Sequence, residues 1–249
     1  MLNILWRNIK WRIQTPLAVI IPLLQPLIWL VLYSAVAHQT MQNTGISNYT
    51  AFILPGLIVL VIFGASSSGG IINFIMKSSG SFYRILIAPV SRSSIVLGQM
   101  LEAILLSFVE VAILFIVSIF FSVTVASGIT GIMLMILLIF LTAFFMSSLA
   151  YAISLLLPNE VIYETIMTAI VLPIFFLSSA LFPTENLSPG LAIAVKLTPF
   201  THMIDALRSL ILREKIIFGH IFFVTVLFLV MCSVSFAWAM WRLNQETTN

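Results

Sequence analysis

The chain has 249 residues, of which 61% are hydrophobic and only 8% charged, with a formal net charge of +3 and a mean hydropathy of +1.18. A soluble domain is about 25% charged and buries only about 70% of the surface its unfolded chain exposes, so lipid must replace water around much of this one. The small positive charge, gathered in a few clusters, excludes a nucleic-acid partner and instead marks one side of a membrane.

Residues 1–14 do not form a span. Leu2, Leu5, Trp6, Ile9 and Ile13 recur at helical spacing, with Arg7, Lys10 and Arg12 between them. That pattern, with Trp6 and Trp11, predicts an amphipathic helix lying among the lipid headgroups. Thr15-Pro16 then caps a first span over 16–37, kinked by Pro22 and Pro26. It reads as a retained span, not a cleaved signal peptide. The polar loop after it, His38 to Thr50, has no Lys or Arg. Its Asn48-Tyr49-Thr50 matches a glycosylation sequon that chance alone supplies in a polar loop.

The second span, 51–76, carries Gly64, Ser66, Ser67, Ser68, Gly69 and Gly70, small residues that let helices approach closely in lipid. Between it and the third span lies a basic, aromatic segment, 77–92. Gly80 turns the chain there; Phe82, Tyr83, Ile85, Leu86 and Ile87 make half a helix, and Pro89 stops it. An apolar face outside the membrane needs a partner to cover it. Further spans follow at 94–121, 130–156, 161–182 and 218–241, each about 20 residues or longer, as the hydrocarbon core demands. Cys232 is the single cysteine, so no intrachain disulfide forms.

Residues 183–217 are more than a plain loop. Pro183, Pro189, Gly190 and Pro199 cut them into pieces, and Leu191–Leu197 and His202–Leu212 read as short amphipathic helices. They form either a re-entrant pair dipping into the outer face or a small surface subdomain. The fold class is all-α in one transmembrane domain, because backbone groups in lipid must pair within their own segment. Arg7, Lys10, Arg12, Lys77, Arg84, Arg92 and Arg242 put both termini and the 77–92 elbow in the cytosol by the positive-inside rule. Lys196, Arg208, Arg213 and Lys215 fall on the opposite side and are outnumbered.

Missing motifs narrow the chemistry. The chain has no P-loop, no His-Glu-x-x-His and no Gly-x-Ser-x-Gly, so it offers no site for ATP, a catalytic metal or a serine nucleophile. Charged groups inside spans are Glu102, Glu110 and Glu164. Glu102 and Glu164, near span ends, suit snorkelling or an interfacial ion pair. Glu110 lies two turns and a little beyond Glu102. It either lines a polar pathway or is a protonated, hydrogen-bonded carboxyl between helices.

Three stretches together resemble the permeases of type-2 ATP-binding-cassette (ABC) exporters. They are Phe82-Tyr83-Arg84-Ile85-Leu86-Ile87-Ala88-Pro89-Val90-Ser91-Arg92; the run from Leu177-Ser178-Ser179-Ala180-Leu181-Phe182-Pro183 to Pro189; and Leu197-Thr198-Pro199-Phe200-Thr201-His202 with Asp205-Ala206-Leu207-Arg208. Order and spacing match over essentially the whole chain, and the likeness is greatest to the drug, antibiotic and nodulation-factor branch. The resemblance implies a bacterial inner-membrane exporter subunit that pairs with a second permease, identical or paralogous, and with two cytosolic ATPase subunits. ATP and Mg would bind those ATPases, and this chain would bind no cofactor or metal of its own. It implies ATPase contact through Gly80, Phe82, Tyr83, Arg84, Leu86, Pro89 and Arg92, with Trp6, Arg7 and Trp11, and an outer gate at Leu181, Phe182, Pro183, Pro199 and Phe200. Relatives usually carry acidic residues just before the elbow glycine. Here the stretch is Lys77-Ser78-Ser79-Gly80, so any salt bridge made there must be replaced. The competing readings are a channel or secondary carrier working alone, which would normally show matched internal repeats, and an intramembrane enzyme, which would need catalytic residues.

Overall fold

A computed structural model describes residues 2–14, 17–40, 48–181 and 188–246. Among them are ten helices and no strand: α1 (Leu2–Gln14), α2 (Leu17–Thr40), α3 (Tyr49–Ser78), α4 (Ser81–Leu86), α5 (Arg92–Ile119), α6 (Gly128–Leu156), α7 (Glu160–Phe176), α8 (Pro189–Leu197), α9 (Pro199–Leu212) and α10 (Phe218–Glu246). Four of these, α3, α5, α6 and α10, are long and apolar enough to cross a bilayer. α2 adds a shorter apolar stretch, Ile20–Ala35, and α7 has 17 residues, fewer than the 22 of the expected span 161–182. The protein is a multi-pass membrane protein.

The bundle is built around α3. Its most apolar stretch is 89% buried, against 28% for that of α10, so α3 is the axis and α10 a wall. α2, α5, α6, α7 and α9 all pack on α3. The small residues read from the sequence allow this. A Cβ at Gly69 would come within 2.9 Å of the Ala103 Cβ, and one at Gly70 within 2.1 Å of the Tyr163 hydroxyl. Polar ties fix the registers, since in lipid a side-chain hydrogen bond has no water to compete with it. Asn73 Nδ2 donates to Ser154 Oγ at 3.1 Å, the Ser66 and Ser147 hydroxyls meet at 3.3 Å, and Ser148 Oγ donates to Ser235 Oγ.

Connections sort the helix ends into two groups. Lys77 pairs with Glu246 at 3.0 Å, and Arg92 Nη1 donates to Asn244 at 2.6 Å. The elbow therefore sits beside the last turns of α10. α1 packs on α5 at this same end. Lys77 finds its carboxylate on α10. At the opposite end the turn between α5 and α6 closes over α9: Ala126 N donates to Ile211 O at 3.0 Å and Ser127 Oγ to Leu210 O at 2.6 Å. These bonds satisfy carbonyls that a helix C-terminus leaves open. Asn48 is also used structurally there. It caps α3 by accepting from Ala51 N at 3.1 Å and donates to Phe121 O at 3.2 Å. The sequon is thus a helix cap.

Candidate functional site

Three places bring the singled-out residues together. The first is the elbow. Gly80 has φ +70°, a left-handed turn that a side chain would strain, and it sends the chain from α3 into α4. The residues of α4 and its C-cap, Ile87, divide sharply. Phe82 is 1% exposed, whereas Tyr83 is 57% and Ile87 85% exposed. Phe82 therefore points into the bundle, with the Lys77 ammonium 5.3 Å from its ring centre. It was expected beside Tyr83 on the contact face; burying its ring is what fixes α4 to α3. The outward face is Tyr83, Arg84 and Ile87, continued by Pro89 and Arg92, with Leu86 half-buried.

α1 packs on α5 and is turned differently from the amphipathic expectation. Trp6 is exposed, while Asn8 and Arg12 are buried. Asn8 Nδ2 donates to Gln99 Oε1 at 2.6 Å. Arg12 Nε donates to Glu102 Oε1, and its Nη1 to Ser68 Oγ at 2.9 Å. Arg7 donates to Asn8 Oδ1 at 3.0 Å, and burial pulls its guanidinium below the usual pKa. The Trp11 side chain lies outside the described ones. Of the two readings of Glu102, the ion pair holds, and it is buried rather than interfacial. Its partner could not be read from the sequence, because Arg12 looked like an ordinary headgroup-binding arginine.

The second place is the opposite end. Arg208 on α9 donates to Phe52 O at 3.0 Å, to Asp205 Oδ1 at 2.9 Å and to Ser179 O, and stacks 3.8 Å over the Phe52 ring. Asp205 in turn accepts from Ser179 Oγ at 2.7 Å. Burial lowers the Arg208 pKa to about 10 although Asp205 favours its charge. Leu181 is buried, and its carbonyl accepts from the Tyr49 hydroxyl at 2.8 Å. Phe200 is buried too, at the centre of an aromatic cluster with Phe63 at 4.8 Å, Phe228 at 5.8 Å and Phe145 at 6.1 Å. Half-buried Pro199 opens α9. Phe182 and Pro183 lie outside the described residues.

The third place is a groove of about 480 Å³ between α2, α3, α5 and α7. Glu110, Glu164, Gln25, Ser67, Ser68 and Thr168 bring polar groups to it. Glu110 is 1% exposed. α7 is held against α3 here by the Tyr163 hydroxyl, which donates to Ser67 O at 3.0 Å. Glu110 and Glu164, far apart in sequence, share this cavity, while Glu102 faces α1. Among the described residues no group of three His, Cys, Asp or Glu could hold a metal.

Comparison with known proteins identifies the family. Residues 1–212 match the family described as ABC-2 type transporter. The chain is 26% identical over 210 residues to a putative transport permease, ycf38, of Cyanophora paradoxa, covering 83% of this chain and 72% of that one. It is 27% identical over 201 residues to the Porphyra purpurea counterpart, covering 80% and 68%. It is 25% identical over 219 residues to Nodulation protein J of Rhizobium leguminosarum bv. trifolii, covering 85% and 81%. A match over most of the chain places it in a family: this protein belongs to the ABC-2 type transporters.

Proposed function

We propose that the chain is the membrane subunit of an ATP-driven exporter that moves an amphipathic or lipid-like molecule outward by alternating access. The family is a membrane permease component and not itself catalytic, so hydrolysis belongs to a separate ATPase. The observation that carries this reading is the elbow. Tyr83 and Arg84 stand exposed on a short helix, with Ile87 exposed just past its end, and buried Phe82 anchors the other side. An apolar, basic face held rigidly outside the spans is suited to receive force from a soluble partner. α1 can pass that force on, because Arg12 and Asn8 join it to α3 and α5.

In this reading α2 and α7 complete a six-span subunit, and α8 and α9 form the outer re-entrant pair around the gate. The α1, α4 and α10 ends face the cytosol of a bacterial inner membrane. The complex holds two permeases and two ATPases, the latter binding ATP and Mg. Gln25, Glu164 and Thr168 line the groove and are exposed, so the groove is open on the side where a second permease would pack. The named relatives, a putative transport permease and a nodulation protein, support transport.

The test is co-purification of a P-loop ATPase with the chain, then Tyr83→Ala with Arg84→Ala in the reconstituted complex. Assembly should persist and transport-coupled ATP hydrolysis should be lost. A complex that stays assembled with unchanged coupling rules out the elbow. Transport without any ATPase favours the stand-alone carrier.

A further inference from the structure

The groove between α2, α3, α5 and α7 is lined by two carboxyl groups with no Lys or Arg beside them. Glu110 Oε1 is buried with no hydrogen-bond partner among the described residues, and the residue is 1% exposed. Glu164 of α7 lines the same cavity. No Lys or Arg is among the lining residues. Arg12 is already bound to Glu102 and Ser68. The other walls are apolar, including Leu60, Phe63, Ile71, Met167 and Val171. The cavity, about 480 Å³, falls in the range of small-molecule sites.

We propose that this groove binds a lipophilic organic cation, its charged group between Glu110 and Glu164 and its apolar body against Leu60, Phe63 and Val171. Two carboxyl groups with no Lys or Arg among the lining residues suit a positive ligand, whose charge would hold the buried one in its ionised form. A hard metal ion would want six or more oxygens, and an apolar wall does not supply them. An organic cation uses both halves of the site. The proposal names a substrate class for the transport reading and rests on that reading for translocation, while binding rests on the groove alone.

The experiment uses the permease with its ATPase in nanodiscs and tritiated tetraphenylphosphonium as probe. Saturable binding should appear and resist competition by tetraphenylborate, of the same shape and opposite charge. Glu110→Gln should weaken binding at least about tenfold, since it removes the partner of a desolvated charge. Glu164→Gln, more exposed, should weaken it about threefold. Glu246→Gln, outside the groove, should leave binding unchanged. Each variant is checked for monodispersity and thermal unfolding. If Glu110→Gln fails to fold, the Glu164→Gln shift and the borate competition decide. Equal binding by wild type and a folded Glu110→Gln, equal competition by the borate, or no saturable binding overturns the site. Discs with and without phosphatidylethanolamine separate two sources of such a cation. Displacement of the probe by that lipid supports an aminolipid headgroup in the groove, and indifference to it supports a free amphiphilic cation. Glu110-dependent binding without ATP-driven movement of the probe sinks the transport reading but keeps the site. ATP-driven movement of another solute with no cation binding sinks the site alone.

Discussion

Two arginines, Arg12 buried and Arg208 partly buried, hold the opposite ends of the bundle, and they do it with different partners. Arg12 reaches across from α1 to a carboxylate and a hydroxyl, Glu102 and Ser68. Arg208 is gripped largely by main chain, the carbonyls of Phe52 and Ser179, with Asp205 and the Phe52 ring completing the cradle. The first is a point-to-point ion pair in which each charge is needed to compensate the other. The second is a planar fork set into fixed acceptors. The α1 end should therefore be sensitive to charge, and the α9 end to shape.

The largest effect tests the charge side. Arg12→Ala leaves Glu102, 2% exposed, as an uncompensated buried charge and should cost about 3–5 kcal/mol. Thermal unfolding in nanodiscs should show it. Adding Glu102→Leu should recover much of the loss, because a buried pair replaced by apolar groups is often nearly neutral. No recovery would mean that the pair does more than neutralise itself.

Exchange of arginine for lysine should reverse the ranking of the two ends. Arg208→Lys loses the fork and the stacking over Phe52 and should cost about 1–3 kcal/mol. Arg12→Lys keeps a charge that can still meet Glu102 and should cost less. Equal losses in the same unfolding assay would remove the distinction drawn here.

Glycine substitutions probe how much each end can give. A Cβ at Gly56 would lie 2.6 Å from the Ala180 Cβ and 2.8 Å from its Cα, so the clash includes backbone next to Ser179. Gly56→Ala should cost about 1–3 kcal/mol by overpacking and loosen Arg208 with it. A Cβ at Gly69 meets only the Ala103 Cβ under 3.0 Å, and Gly69→Ala should be milder. The smallest effect belongs to Lys77→Ala. Its pair with Glu246 is partly exposed, with side chains 22% and 28% accessible, and should contribute under about 1 kcal/mol, falling with salt.

Much of this could be read in the sequence because lipid makes the rules strict. Apolar runs of bilayer length must be helices, and the long helices fall where those runs are. The breaks at Gly80, Pro158-Asn159 and Pro199 fall at or beside helix boundaries, whereas Pro22, Pro26, Pro55 and Pro173 lie inside helices, where packing among membrane helices tolerates them. The small residues of α3 predicted close packing, and Gly69 and Gly70 show it.

The sequence by itself determined the solvent, the helical class, the elbow and the presence of carboxylates inside the spans. Hydropathy and turn chemistry are local, and each residue carries them wherever it goes. Only the tertiary structure decided which way those residues face and what they meet. Phe82 and Tyr83 are neighbours with the same aromatic character, yet one is an anchor and the other a free surface. Arg12, spaced like a headgroup contact, turned inward to Glu102. Glu110 and Glu164, 54 residues apart in the chain, came to share one groove. Side-chain pairing across helices depends on rotation and register, and these are set by how the helices pack together, which no local pattern encodes.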